Sequence, residues 1–305
     1  MNATLETRHR DMLRQIEKGQ GFIAALDQSG GSTPKALTGY GYRGDEWSND
    51  EEMFDLIHQM RSRIISSPSF GGGKVIGAIL FERTMDGQVN GKPVPQALID
   101  QGVVPFIKID KGLEDEANGV QLMKPMPELD ALLTRSRALG VFGTKERSVI
   151  HLANPEGIAA VVAQQFEVAR KVLAQGMVPI IEPEVSIKSL ERGEADRILL
   201  AEILKALDSV PASEKVMLKL TIPAEAGLFE PLVRHPKVLR VVALSGGFSR
   251  DEACKQLARN PGMIASFSRA LLSDLRHDQS DAEFDKVLGT AIDEIHCASV
   301  AEVNA

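Results

Sequence analysis

The chain has 305 residues, of which 43% are hydrophobic and 25% are charged, as in ordinary globular proteins. This composition excludes wholesale disorder and a fibrous repeat. The formal net charge of −7 provides no basic surface for nucleic acid or for an anionic membrane, so any anionic ligand must be bound by a local cluster of cations.

Eight short apolar segments predict eight strands. They are rich in Val, Ile and Leu and mostly continuous, which is typical of strands buried on both faces of a parallel sheet. In chain order they cover residues 21–27, 74–81, 103–110, 140–144, 177–182, 216–221, 238–244 and 263–267. Amphipathic stretches predict helices over residues 50–65, 128–139, 155–175, 194–207, 250–258 and 281–300.

The order of these elements favours one barrel. Eight strand–helix units without a linker predict a single (β/α)8 TIM barrel domain over residues 1–305, with an N-terminal helical extension. The rival fold is an open Rossmann-like sheet. Its G-x-G-x-x-G motif does not follow the first strand, where residues 28–32 read QSGGS.

Cysteine usage and the N-terminus bear on the compartment. The two cysteines, Cys254 and Cys297, are too few for a disulfide framework. Residues 1–14 lack the apolar segment of a signal peptide, and no run of about 18 apolar residues occurs. We therefore expect a cytoplasmic protein with reduced thiols and no membrane partner.

Polar residues end or follow most of the predicted strands. In a barrel, the carboxyl ends of the strands and the loops after them form the active face. A single charge of this kind is explained more simply by solvent exposure or an ion pair, but seven of the eight predicted strands carry one, which indicates a functional site. In chain order the candidates are Asp27, Lys108, Asp110, Lys145, Arg147, Glu182, Glu184, Lys219, Ser245 and Arg269.

Lys219 is the most informative of these candidates. The segment VMLKL places its ammonium in an otherwise apolar strand, where an unpaired buried charge costs several kcal/mol. A Schiff base explains such a lysine, because the neutral amine attacks a carbonyl carbon. Desolvation and the neighbouring cations Lys108 and Lys145 would favour the neutral amine, while Glu182 and Asp27 would move protons.

Small and cationic residues are consistent with two phosphate sites, although glycine-rich turns by themselves are more simply explained as tight turns. The loops after the seventh and eighth strands, which commonly bind phosphate in barrels, carry Ser245, Gly246 and Arg269. A second group would form with Lys108 in the loop after the first strand. It consists of Ser29, Ser32 and Lys35.

Seven ordered segments give the chain a family resemblance. Between about residues 21 and 270 it reads ALDQSGGS, FIKIDKG, FGTKERS, PIIEPE, VMLKLTIP, LSGG and SFSRAL, and in these it resembles the class I fructose-1,6-bisphosphate aldolases in their short bacterial form. The resemblance implies a barrel fold and reversible aldol cleavage of fructose 1,6-bisphosphate into dihydroxyacetone phosphate and glyceraldehyde 3-phosphate, in glycolysis or gluconeogenesis. It also implies that no metal or other cofactor takes part.

The resemblance further implies a role for each matching residue. Lys219 would form the Schiff base, and Glu182 would serve carbinolamine dehydration and take the C4 hydroxyl proton. Asp27 would orient the substrate, and Lys145 would supply positive charge. The remaining residues would be Ser29, Ser32 and Lys108 at the C6 phosphate, Ser245, Gly246 and Arg269 at the C1 phosphate, and Arg147 and Glu184 as supporting neighbours.

The chain also departs from the longer animal-type enzymes of this family. Those enzymes have an acidic residue, a threonine and a glycine where this chain has Gln28, Gly30 and Ser268, so phosphate contacts are expected to differ. They also use a C-terminal tyrosine for proton transfer at C3. The tyrosines here are Tyr40 and Tyr42, so we expect that proton to move by another route.

Three alternatives stay open at this stage. A metal-dependent aldolase would need imidazole ligands, but the six histidines are scattered. Transaldolase is also a Schiff-base barrel. A non-catalytic barrel could bind sugar phosphates with Lys219 as a structural residue. In each case we expect small-molecule sugar phosphates as ligands and no nucleic-acid partner, and a homo-oligomer is consistent with the family.

Overall fold

Eight parallel strands alternate with helices along the chain. The computed structural model describes residues 2–29 and 31–301, so Gly30 lies outside the described residues. The barrel strands are β1 (Phe22–Leu26), β2 (Val75–Leu80), β3 (Val104–Lys108), β4 (Gly143–Ile150), β5 (Val178–Val185), β6 (Val216–Thr221), β7 (Val238–Leu244) and β8 (Ile264–Ala265).

Twelve helices are found among the described residues, together with a 3-10 turn at Pro68–Gly71. They are α1 (Asn2–Lys18), α2 (Ser32–Tyr40), α3 (Asp50–Ser66), α4 (Glu82–Met85), α5 (Val94–Asp100), α6 (Leu129–Ala138), α7 (Pro155–Ala174), α8 (Arg192–Leu207), α9 (Glu230–Val233), α10 (Arg250–Leu257), α11 (Arg269–Leu272) and α12 (Asp281–Ser299). No helix in this part of the chain combines the length and the apolar character needed to cross a membrane.

The strands pair in sequence order into one sheet. Every neighbouring pair from β1 to β8 is parallel, as strand–helix–strand connections require. The two ends of the sheet meet where the Ala25 N–H donates to the Phe267 carbonyl at 3.3 Å. The predicted (β/α)8 barrel is therefore confirmed, and the open Rossmann-like sheet is not formed.

Two apolar layers hold the barrel together. The inner layer fills the barrel with side chains such as Ile23, Phe106 and Ile180, while a larger outer layer lies between the strands and the helices. Helix α1 closes the amino-terminal end of the barrel, because its Ile16 is fully buried in the inner layer. Arg240 fixes this helix by donating from Nε to the Ile16 carbonyl at 2.9 Å. The predicted N-terminal helix thus acts as a plug.

Local sequence signals set where several helices begin. Helix α12 begins with a capping box, in which Ser280 and Glu283 bond to each other's main-chain N–H groups. The Asn49 side chain caps α3, and the Asn154 side chain caps α7, whose first residue is a proline.

Two strand predictions were wrong at their ends. The fourth strand was expected over residues 140–144 but covers Gly143–Ile150, and the fifth was expected over 177–182 but extends to Val185. Lys145 and Arg147 therefore lie inside β4 rather than after it, and Glu184 lies inside β5. The cause is physical: the interior of the barrel is polar at this end, so these strands continue through charged residues that look like loop in the sequence.

Candidate active site

Four charged side chains meet inside the barrel near the carboxyl ends of the strands. Lys145 of β4 donates from Nζ to Oδ2 of Asp27, which follows β1, at 2.9 Å. The same Nζ lies 2.6 Å from Oε2 of Glu182 on β5. The other oxygen of Glu182, Oε1, lies 3.4 Å from Nζ of Lys219 on β6. One carboxylate is therefore shared between two lysines.

Strand alternation explains why these side chains point inward. Successive side chains of a strand face opposite sides, so residues two apart share a face. Ile180 and Met217 pack in the inner layer, and the residues two positions later are Glu182 and Lys219. The apolar lower layers of the barrel thus position a polar upper layer.

The cluster is buried and electrically balanced. Burial by itself would raise the pKa of the Asp27 carboxyl, but the ammonium of Lys145, assisted by that of Lys219, holds the pKa well below its usual value. Desolvation likewise opposes the charged form of Lys145, yet the carboxylates of Asp27 and Glu182 raise its pKa above the usual lysine value. Asp27 and Lys145 are therefore a charged pair at neutral pH.

A cavity of about 370 Å³ is lined by residues of β4 and β5, two of which, Arg147 and Glu184, lie two positions beyond Lys145 and Glu182; the four cluster residues themselves do not line it. On one side, Arg147 of β4 donates from Nε to Oε2 of Glu184 at 2.5 Å. On the other side, the loops after β7 and β8 contribute their glycines and an arginine. The polar and glycine residues of its lining are Gln121, Arg147, His151, Glu184, Ser186, Lys188, Gly246, Gly247 and Arg269.

The glycine turn after β7 is suited to anion binding. Gly246 has φ +61°, and a Cβ there would lie 2.5 Å from Cγ2 of Ile187. Gly247 has φ +122°, and a Cβ there would lie 3.2 Å from Nη2 of Arg269. Only glycine meets both constraints without strain. The turn therefore leaves main-chain N–H groups open beside the Arg269 guanidinium, which is a suitable environment for a phosphate.

The predicted second phosphate group is only partly assembled. The Ser32 hydroxyl donates to the Ser29 carbonyl at 2.9 Å and accepts from the Ser29 N–H at 3.0 Å. Lys108 donates to Oδ1 of Asp110 at 2.7 Å. None of Ser29, Ser32, Lys108 and Ser245 lines the 370 Å³ cavity. Ser245 is buried directly before Gly246.

Two buried charged residues near the site were missed in the sequence. Arg61 of α3 is 0% exposed, as is Glu146 of β4, between two site residues. A signal for Arg61 was available, because it shares helical spacing with the buried residues Ile57 and Ile64. No such signal was available for Glu146, because the predicted strand ended at residue 144 and left Glu146 in a loop.

The described residues also contain a second cavity, far from the charged cluster, and lack a group suited to bind a metal ion. A cavity of about 580 Å³ at the opposite end of the barrel is lined by α1 and by residues 99–104, and it holds none of the candidate residues. Within residues 2–29 and 31–301, no group of three His, Cys, Asp or Glu side chains is arranged to hold a metal ion.

Comparisons with known proteins bear on this geometry. A family model described as fructose-bisphosphate aldolase class-I matches residues 10–224, more than two thirds of the chain. The matched range includes the four residues of the buried cluster but not the loops after β7 and β8.

Among solved structures, the chain is similar to the fructose-bisphosphate aldolase of Plasmodium falciparum, determined with TRAP and a small-molecule inhibitor. The TM-score is 0.82 at 20% identity, over 100% of this chain and 97% of that one. It is also similar to a protein of Corynebacterium glutamicum, with a TM-score of 0.50 at 13% identity over 98% and 97% of the two chains. At these identities the structural likeness bears on the fold alone.

Proposed function

The chain belongs to the class I fructose-bisphosphate aldolase family, and from this membership we propose that it cleaves fructose 1,6-bisphosphate reversibly through a Schiff base on Lys219. The products are dihydroxyacetone phosphate and glyceraldehyde 3-phosphate. The observation that carries the proposal is the Glu182 carboxylate, whose two oxygens lie 2.6 Å from Nζ of Lys145 and 3.4 Å from Nζ of Lys219.

Imine formation begins with a proton moving from the Lys219 ammonium to Glu182, which the separation of these groups allows. The neutral amine then attacks C2 of the open-chain ketose, the N–C2 bond forms, and the nitrogen's proton is transferred to the former carbonyl oxygen. Glu182, now a carboxylic acid, gives its proton to this hydroxyl, which leaves as water. The products of the step are a protonated imine and the Glu182 carboxylate.

Carbon–carbon cleavage uses the same carboxylate as a base. Glu182 takes the C4 hydroxyl proton, the C3–C4 bond breaks, and its electron pair moves into the imine to give an enamine. Glyceraldehyde 3-phosphate leaves as the aldehyde. Lys145 stays protonated throughout, because Asp27 raises the pKa of its ammonium. Its fixed charge stabilises negative charge that develops on the substrate oxygens.

Dihydroxyacetone phosphate is released from the enamine by protonation at C3 followed by hydrolysis of the imine. A proton from the carboxylic acid form of Glu182 is added to C3, which restores the protonated imine and the Glu182 carboxylate. Water then adds to C2, the C2–N bond breaks, and dihydroxyacetone phosphate leaves with Lys219 restored as its ammonium. The proton consumed in dehydration is returned in this hydrolysis.

Both ends of the substrate carry phosphate in this proposal. The C1 phosphate binds at Ser245, Gly246 and Arg269, where glycine N–H groups and a guanidinium face the cavity. The C6 phosphate binds at Ser29, Ser32 and Lys108 on the other side of the cluster. The hydrogen-bonded pair Arg147 and Glu184, which lines the cavity, orients the substrate hydroxyls.

The test is covalent trapping. The protein is incubated with dihydroxyacetone phosphate in EDTA, reduced with borohydride, digested, and mapped by mass spectrometry. The expected result is a reduced adduct on Lys219, together with fructose 1,6-bisphosphate cleavage that EDTA does not inhibit. If no lysine carries an adduct and EDTA abolishes cleavage, the protein is a metal-dependent enzyme. No adduct and no cleavage would identify a binding protein.

The same proposal places the enzyme in cytoplasmic glycolysis or gluconeogenesis, acting without a metal. Cys254 and Cys297 are free thiols, which fits a reducing compartment.

A further inference from the structure

A cation without a counter-ion lies beneath the loop after β1. Arg61 of α3 is 0% exposed, and no carboxylate of the described chain lies within 4.0 Å of its guanidinium nitrogens. Burial lowers the pKa of Arg61 to about 10, while the charge of Asp27 opposes this shift. The guanidinium is therefore protonated at neutral pH. A buried unpaired charge costs several kcal/mol, so its retention calls for a reason.

Within the described chain, two of the three hydrogen bonds of Arg61 are made to Gln28, in the loop after β1. Nη2 donates both to the main-chain carbonyl of Gln28 and, at 3.2 Å, to its side-chain Oε1. Nη1 donates to Oγ1 of Thr84 at 2.7 Å. The guanidinium also lies 5.9 Å from the ring centroid of Phe81. Arg61 thus holds both the main chain and the side chain of Gln28.

This contact fixes which way the Gln28 amide points. A guanidinium has donors only, so Oε1 must face Arg61 and Nε2 must face the other way. Nε2 donates to Oγ of Ser268 at 2.5 Å and to the Ala25 carbonyl at 3.1 Å. Arg61, Gln28 and Ser268 therefore form a continuous hydrogen-bonded chain from helix α3 to the loop after β8. We call it the Arg61 tether.

The Arg61 tether crosses the seam between β1 and β8, where the described residues form no strand ladder. Strand β8 has two residues, and in the described chain its ladder is formed with β7 alone. Across the seam with β1, the main-chain hydrogen bond from Ala25 to Phe267 measures 3.3 Å. Ser29 lies in the loop after β1 on one side of the seam, and Arg269 begins α11 directly after the loop on the other side; each belongs to one of the proposed phosphate groups. The distance between these two residues therefore depends on the hydrogen bonds that connect the two sides of the seam.

We propose that Arg61 is a positioning residue that, through Gln28 and Ser268, sets the spacing of the two phosphate-binding loops and so sets the preference for a substrate with phosphate at both ends. This inference rests on the proposed function. A ligand with one phosphate contacts one loop and is insensitive to the spacing. A bisphosphate must reach both loops at once and loses affinity when they move apart.

The test compares one-phosphate and two-phosphate ligands on three variants. R61M removes the guanidinium, and S268A cuts the Arg61 tether at its far end; the Ser268 side chain makes no cap hydrogen bond to α11, so this change leaves that helix intact. The matched control is R63M on the same helix, because Arg63 bonds to the carbonyl of Gln279, to Asp281 and to the hydroxyl of Tyr40 at the last residue of α2, and takes no part in the Arg61 tether.

Two quantities are measured on folded protein. The first is the ratio of KM for fructose 1,6-bisphosphate to KM for fructose 1-phosphate. The second is the ratio of the calorimetric affinities for hexitol 1,6-bisphosphate and hexitol 1-phosphate. For R61M and S268A we expect the bisphosphate values to weaken about tenfold, with the monophosphate values changed less than about twofold. R63M should leave both ratios unchanged. Should R61M fail to fold, S268A carries the same prediction.

Equal weakening of both ligand classes, or no weakening, in S268A would overturn the proposal. The hexitol phosphates separate this outcome from failure of the proposed function. A wild-type protein that does not cleave fructose 1,6-bisphosphate contradicts the function, while the calorimetric ratios still test the Arg61 tether.

Discussion

Lys219 and Glu182 form a buried pair in which Nζ of the lysine lies 3.4 Å from Oε1 of the glutamate. The second oxygen of Glu182 lies 2.6 Å from Nζ of Lys145, so each oxygen of the carboxylate faces one ammonium before any substrate enters. A proton that leaves Lys219 has an acceptor at hand, and the same acceptor can later return it to a substrate hydroxyl. The reactivity proposed for Lys219 thus depends on the position of Glu182 as well as on burial.

Replacing Lys219 by methionine should abolish cleavage and leave the protein folded. Methionine is of similar length and removes a buried ammonium, so we expect the melting temperature to fall by no more than a few degrees. Borohydride trapping should give no adduct. The control is K215M, since Lys215 precedes the same strand and pairs with Glu17 at the other end of the barrel. Turnover by K219M comparable to wild type would exclude the Schiff-base role.

Replacing Glu182 by glutamine should slow turnover and trap an intermediate. The amide keeps the shape of the side chain but can neither give nor take the proton needed for dehydration and C4 deprotonation. We expect kcat to fall by about 10²- to 10⁴-fold with a smaller change in KM. Quenched-flow mass spectrometry should detect a covalent adduct on Lys219.

The matched control is E202Q, on the solvent side of α8, which should retain wild-type rates. If E182Q also turns over at the wild-type rate, the proton-transfer role belongs to another group of the cluster.

Replacing Lys145 by methionine should change how Asp27 affects the free energy of unfolding. In the variant, Asp27 should destabilise the folded protein more as the pH rises. In the wild type the pKa of Asp27 is held below its usual value, so its stabilisation is present at neutral pH and is lost as the pH falls below about 4. Without Lys145 the buried carboxylate lacks its main partner, and burial favours its neutral form. We expect K145M to lose roughly 3–5 kcal/mol of unfolding free energy near pH 7, and less near pH 5.

Urea unfolding at both pH values measures this change. The control is K171M, since Lys171 forms an exposed pair with Glu167 and should change stability by less than about 1 kcal/mol at either pH. A K145M deficit that is the same at both pH values would contradict the assigned coupling.

Site residues could be predicted from the sequence where they lie in apolar strands, and could not where the strand is polar. VMLKLT has one charge in a hydrophobic run, so Lys219 was placed inside its strand correctly. In β4, GTKERSVI is polar on both faces, since Lys145 and Arg147 face the site while Glu146 faces the helices. Neither an apolar run nor an alternation remains there, so the strand was predicted several residues too early.

Arg61 illustrates a second limit. Its helix was predicted almost to its ends, over 50–65 against Asp50–Ser66, and helical spacing puts Arg61 on the buried face. What the sequence could not provide is its partner, because Gln28 is 33 residues away along the chain and is brought to Arg61 only when β1 joins β2. Contacts between distant segments follow from topology rather than from local pattern.

Glu146 yields the last prediction, which concerns stability rather than turnover. Its side chain is 0% exposed on the helix side of β4, and neither carboxyl oxygen has a hydrogen-bond partner among the residues described. Burial, with a contribution from the charge of Asp110, raises the pKa of Glu146 well above its usual value. The folded state therefore keeps a proton that the unfolded state loses once the pH passes about 4.3, and stability falls as the pH rises through this window.

Glutamine at position 146 has nearly the same shape and does not titrate. We expect the unfolding free energy of E146Q, relative to wild type, to increase by about 1.4 kcal/mol per pH unit above about pH 5, until the folded carboxyl itself ionises. Urea unfolding at intervals between about pH 5 and about pH 8 measures the difference. E156Q, on the exposed first turn of α7, should give a nearly flat difference over the same range. A flat difference for E146Q as well would mean that Glu146 is charged in the folded protein, and a buried cation or water would then have to be sought beside it.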